Sequence, residues 1–128
     1  MAQSLWTIPD VNNLRLPVTV LKEQASALSQ QTKGVLVGEL RTVPTNSQDS
    51  VQYSLDIVVP TLNNYRYRVL TMAQPLALYP LTVIGSGSQS FTARNEQELS
   101  VALQRIFNSD YTQRVLASLI AQANNVSR

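Results

Sequence analysis

Between residues 51 and 59 the chain alternates: Val51, Tyr53, Leu55, Ile57 and Val59 occupy one parity, Gln52, Ser54 and Asp56 the other. This is the period of a strand with one apolar face, and it predicts a wet face carrying Gln52, Ser54 and Asp56. Residues 51–84 hold three consecutive strand patterns with no helical period between them, so the remaining elements are expected to pack around this stretch. Residues 35–43, VLVGELRTV, read as a strand ahead of it, connected by the polar loop PTNSQDS. Residues 60–64 form the next connection, with Asn63 and Asn64 able to adopt left-handed backbone, and a strand from 65 to about 72 follows. Residues 76–84 read as the last strand of the set, Pro75 and Pro80 putting it at a sheet edge or a bulge. The result is a four-stranded antiparallel meander. The segment GSGSQS at 85–90 reads as a flexible turn, after which Phe91, Thr92 and Ala93 could add a short fifth strand.

The period changes to 3.6 on both sides of this region. Pro17 suits a first helical turn, and Val18, Leu21, Ala25 and Leu28 follow at helical spacing, giving a helix to about Gln31 that Gly34 is placed to end. Asn95 precedes Glu98 by three residues, the spacing of a capping pair, and Leu99, Ala102, Leu103, Ile106 and Phe107 form the stripe of the helix it opens. Ser109 or Asp110 can cap a second helix whose Val115, Leu116, Leu119, Ile120 and Ala123 share a face, with residues 124–128 a frayed tail. Helix, strands, then helices is the order of a two-layer α+β domain, one N-terminal helix and a C-terminal helix pair covering the meander. At 128 residues one domain spanning 1–128 is expected.

Residues 1–16 fit neither period. Leu5, Trp6, Ile8, Val11, Leu14 and Leu16 stand among polar residues and Pro9, too apolar for a free tail. The segment reads as an irregular arm that lays Trp6 on the domain's own core, or as one that docks on a second subunit or partner; either reading buries Trp6.

Composition narrows the function. The chain has no His and no Cys, so imidazole bases, thiolate nucleophiles, disulfides and His/Cys metal sites are excluded. Ser86 and Ser88 lie in a Gly-rich loop but lack the order of a nucleophile elbow, and no Lys follows to make a phosphate loop. Glu96, Glu98 and Asp110 fall at helix starts, where negative charge is favoured structurally. Charged residues are 14% of the chain against an ordinary ~25%, which leaves a surface that repels other molecules weakly. Net charge is only +2 and the arginines are dispersed without a basic run, a poor footprint for nucleic acid. The first ten residues lack the pattern of a signal peptide and no apolar run approaches ~20 residues, so a soluble, cytoplasmic protein without membrane association is expected.

Asp56 lies mid-strand on the wet parity, and a turn centred near Leu62 puts it opposite Arg68, with Glu39 and Arg41 able to extend the pair. In the run Tyr65, Arg66, Tyr67, Arg68 the tyrosines and the arginines point to opposite faces, so bases stacked on Tyr could not be gripped by these Arg residues. The arginines therefore mark the open sheet face. Three stretches, PVTVLKEQAS at 17–26, YRYRVLT at 65–71 and YPLTV at 79–83, resemble those of small bacterial proteins of unknown function. The resemblance implies a compact α+β domain and carries over no catalytic residue. The sequence reading is thus a non-enzymatic, cofactor-free interaction or assembly module using its sheet face or edge, with a protein partner or a homo-oligomer and no metal. Its candidate contacts are Arg66, Arg68, Asp56, Gln52 and Trp6. The alternative is a nucleic-acid-binding protein whose scattered arginines converge in space.

Overall fold

The computed structural model describes residues 3–46 and 48–126. Residues 1 and 2 of the expected arm, Ser47 of the polar loop and residues 127 and 128 of the expected tail lie outside them. The element order is α1 (Pro17–Gln31), β1 (Val37–Val43), β2 (Ser50–Val59), a single 3-10 turn (Pro60–Leu62), β3 (Tyr65–Pro75), β4 (Leu81–Gly85), β5 (Ser90–Ala93), α2 (Glu96–Phe107) and α3 (Asp110–Val126). All five strands pair antiparallel with their sequence neighbours, in the order β1-β2-β3-β4-β5. No helix among the described residues is long and apolar enough to cross a membrane.

The meander has five strands, not four. The expected strand at 76–84 is shortened at its start, because β3 runs on to Pro75 and the chain then turns through a cis Tyr79–Pro80 bond before β4 begins. β4 is an inner strand. The GSGSQS segment, expected to be flexible, is a tight connection in which Ser88 adopts φ 69° and the Gly85 amide donates to the Gln89 carbonyl at 2.8 Å. That closure lets Val83 pair with Phe91 and Leu81 with Ala93, which makes β5 a full member of the sheet. At the other end, α3 continues to Val126, past the point where the sequence reads as frayed.

One irregularity sets the two faces. Leu55 pairs with Leu70 but Asp56 pairs with Arg68, so Val69 is an extra residue on β3 opposite no partner. Strict alternation would have put Leu70 and Met72 on the side of Arg66 and Arg68. The bulge reverses the parity, and Val69, Leu70 and Met72 are all buried, with exposures of 3%, 1% and 0%. Leu55, Ile57, Val59, Leu70, Met72, Leu81, Val83 and Ala93 meet Val20, Leu21 and Ala25 of α1, Leu99, Leu103 and Ile106 of α2, and Leu119 and Ala123 of α3 in one core. The three helices therefore cover one face of the sheet.

Close approach fixes how α1 lies. A Cβ added at Gly38 would stand 2.5 Å from the Ala25 carbonyl oxygen and 2.6 Å from its Cα, so only glycine lets the helix backbone reach β1. At that crossing Ser29 Oγ accepts from the Gly38 amide at 3.0 Å, and one turn on Thr32 Oγ1 donates to the Leu28 carbonyl and accepts from the Leu36 amide. The α2 start is the expected cap: Asn95 Oδ1 accepts from the Glu98 amide at 2.8 Å, while Glu98 reaches back to the Arg94 amide. Ser109 caps α3 by accepting from the Thr112 amide.

Candidate interaction sites

The residues singled out from the sequence fall in two places, the helix-free sheet face and the N-terminal arm. On the helix-free face, register puts Glu39 beside Asp56 and Asp56 beside Arg68. Arg66 Nη1 donates to Asp56 Oδ2 at 3.1 Å and Nη2 to Glu39 Oε1 at 3.1 Å; Arg68 Nε stands 3.8 Å from Asp56 Oδ1. The expected Asp56–Arg68 pair is present, but Arg66 makes the shorter contact, and Arg41 has no part in these ion pairs. The expectation of a wet Asp56 is corrected. Its side chain is 1% exposed and Ser54 is 0% exposed, because these short side chains on an inner strand are overlaid by longer ones from β1 and β3. The hydrogen bond to Glu39, then that to Asp56, raises the Arg66 pKa, so the guanidinium is held cationic. Asp56 Oδ2 is taken by Arg66, while Oδ1 is buried with no hydrogen-bond partner and has the Arg68 guanidinium at ion-pair distance, so the carboxylate is shut off from solvent and the arrangement reads as structural. Gln52 shares this face opposite Val43 and Ala73, four residues and roughly 13 Å along the strand from Asp56.

Trp6 is not on the core. It is 83% exposed, between Leu5 at 95% and Ile8 at 80%, with Val11 at 61% and Leu14 at 54%. The arm is nevertheless anchored at its root. The Leu14 amide closes a turn on the Val11 carbonyl at 3.1 Å, and Arg15 bonds both Glu23 of α1 and Glu96, the first residue of α2, the latter at 2.8 Å. The bond to Glu23 leads in raising the Arg15 pKa, and the same bond lowers that of Glu23. An apolar arm thus leaves the domain from a fixed point, with Leu5, Trp6 and Ile8 exposed.

Two concave features escape the sequence reading. A cleft of about 310 Å³ opens over β2 and β3 between α1, α2 and α3, floored by Leu55, Ile57 and Val69 and walled by Leu28, Phe107 and Leu116. A second hollow of about 300 Å³ lies between α1 and α2 and shares Gln24, Gln104 and Phe107 with the first, so the two adjoin along the α1–α2 groove. Gln24 and Gln31 on α1, and Gln97 and Gln104 on α2, edge it with carboxamides. Each pair is seven residues apart, two helical turns, which is the signal in the sequence that could have found it. The other feature is an open cleft of about 820 Å³ where Tyr111 and Arg114 of α3 join Tyr65 and Tyr67. Tyr67 hydrogen-bonds Ser86 there, and burial pushes its pKa up.

The arginines do not gather. Arg41, Arg66 and Arg68 lie on the open face, Arg15 and Arg94 are held by Glu23, Glu96 and Glu98, Arg105 is on α2, and Arg114 sits in the tyrosine cleft on the helix side. Among the described residues no group of three acidic, His or Cys side chains could hold a metal ion. No protein-family model, no curated protein and no solved structure matches the chain.

Proposed function

We propose that this chain is a non-catalytic interaction or assembly module that engages a protein partner through its N-terminal arm, with Trp6 as the anchor. The observation that carries this reading is the exposure of Leu5, Trp6 and Ile8 at 95%, 83% and 80% on a segment whose root is tied down by Arg15. Contiguous apolar surface of this kind is costly in water and marks contact sites, and an indole is among the side chains on which binding energy concentrates. The lack of His and Cys and the sequestration of Asp56 support a non-enzymatic role. Nucleic-acid binding is less well supported, since the cations are divided between the two faces and half of those in ion pairs serve the arm root or a helix cap.

The test is affinity capture of the tagged chain from cells that also express it untagged, comparing the wild type with Trp6→Ala and with Arg66→Glu/Arg68→Glu. A stoichiometric polypeptide held by the wild type and lost with Trp6→Ala, at unchanged melting temperature, is the expected result. Equal recovery with folded Trp6→Ala would refute the arm. Loss confined to the double arginine variant would move the contact to the sheet face.

A further inference from the structure

We infer that the partner is a second copy of this chain, and that each copy's groove between α1 and α2 receives residues 4–9 of the other's arm. This rests on the reading of the arm as the contact segment and adds its receptor. Four observations converge on it.

The first is length. From Val20 to Gln31 the groove follows α1 for about 17 Å, at ~1.5 Å per helical residue. Residues 4–9, extended at ~3.3 Å each, span ~20 Å. The second is charge. Residues 3–9 read QSLWTIP and carry none, and neither does any residue lining the groove, so docking desolvates no ion on either side. The third is the polar fit. An indole N–H is a donor only, and Gln24, Gln31, Gln97 and Gln104 offer carboxamide acceptors along a floor that is otherwise apolar.

The fourth is area. An aromatic side chain buries ~150–250 Å², and with Leu5, Ile8 and the groove wall they cover, each docked arm removes on the order of 800–1,000 Å² from water. Two exchanged arms then reach ~1,600–2,000 Å², the size of a stable interface, whereas one arm alone falls short of it.

The geometry of the root favours exchange over an arm folded back on its own domain. Arg15 is pinned to Glu23 and Glu96 at the end of the groove where α1 and α2 both begin. Leu16 is extended at φ −78° and ψ 144°, as the residue before Pro17 must be, which denies the chain a helical reversal there. With the turn closed by Leu14 and Val11 in place, residues 5–8 stand clear of their own groove.

Because Trp6 is the sole tryptophan, its fluorescence reports the arm directly. The experiment uses the full chain in three forms: wild type, Trp6→Ala, and Ala27→Arg, which puts a long charged side chain into the groove from α1; Gln104→Arg blocks it from α2 as a second variant. The wild type should sediment as a dimer with a blue-shifted emission that reddens on dilution, and Trp6→Ala should raise the dimer dissociation constant ~30-fold or more. Folded Ala27→Arg should be monomeric with exposed-indole emission. Adding a large excess of the tryptophan-free Trp6→Ala protein, whose groove is open, should shift that emission part of the way back to the blue, since a single arm docks more weakly than an exchanged pair.

A wild type that is monomeric with exposed emission overturns the inference, and if Trp6→Ala still abolishes capture of some other polypeptide, the arm reading stands without it. Monomer mass with blue-shifted emission at every dilution means docking in cis and overturns both. A dimer unaffected by Trp6→Ala also overturns both. A dimer lost with Trp6→Ala but intact in both groove variants overturns the receptor assignment.

Discussion

The crossing of α1 over β1 permits a sharp test, because two glycines a few residues apart are required for different reasons. At Gly38 the reason is space. A methyl there would lie 2.5, 2.6 and 2.9 Å from three backbone atoms of Ala25, against an ordinary contact of ~3.5–4 Å, so α1 must retreat by ~1 Å. Backbone cannot rotate aside as a side chain can. The retreat loosens Leu21 and Leu36, both 0% exposed, for an overpacking cost of ~1–3 kcal/mol, and stretches the 3.0 Å bond from the Gly38 amide to Ser29, worth ~1 kcal/mol. Reduced freedom of the unfolded chain offsets ~0.5–1 kcal/mol. Gly38→Ala should therefore destabilise by ~2–3 kcal/mol and lower the melting temperature by ~6–15 °C for a domain of this size.

Gly34 is the control. It needs glycine for its φ of +83° and has nothing within 4 Å of an added Cβ, so Gly34→Ala should cost only the left-handed strain, ~1 kcal/mol. Ser29→Ala isolates the hydrogen bond. Urea and thermal denaturation of the three variants give the order Gly38→Ala, then Gly34→Ala and Ser29→Ala near one another. A Gly38→Ala protein melting within 2 °C of wild type, or standing above Gly34→Ala, would refute the close approach.

Two further outcomes are expected. Arg66→Ala leaves Asp56 buried with only Arg68 Nε at 3.8 Å and should destabilise by ~2–4 kcal/mol; Arg66→Ala/Asp56→Asn should recover part of that, and a single variant within ~0.5 kcal/mol of wild type would contradict the clamp. Glu23 and Glu98 both titrate below the usual glutamate value, Glu23 through its bond to Arg15 and Glu98 first through the Arg94 amide. A depressed folded pKa gives stability that is complete above the unfolded value of ~4.3 and lost as pH falls through the folded one. Urea midpoints should therefore fall below about pH 4.5, and Arg15→Ala should flatten that fall by removing the Glu23 share; an unchanged slope would count against it.

What was legible in the sequence was local or paired. The bounds of α1, the Asn95–Glu98 cap and the Asp56–Arg68 register follow from spacing along one or two segments, and the structure has them as read. The fifth strand was harder, since GSGSQS has the composition of a mobile turn and only its hydrogen bonds make it a hairpin closure. The bulge at Val69 does leave a mark, a change of parity between Tyr67 and Leu70, but one extra residue is invisible to a reading that assumes unbroken alternation. Asp56 was misplaced because alternation assigns a face and says nothing of what overlies it. For Trp6 the sequence left two placements, the domain's own core or a partner, since an arm without a period says nothing of what covers it; the structure takes it off the core. The groove joins side chains from three helices and two strands, and that convergence is tertiary; the paired glutamines were its only trace.

The bond between Gly38 and Ser29 bears on how large an assembly this chain can build. β1 is an outermost strand, and the Gly38 amide that would recruit another strand is already engaged by a side chain of α1. The opposite border, β5, is only four residues long. Strand addition at either border is thereby disfavoured. The proposed exchange of arms would then satisfy both copies and leave nothing over, so it predicts a closed pair of fixed size in place of an open fibre.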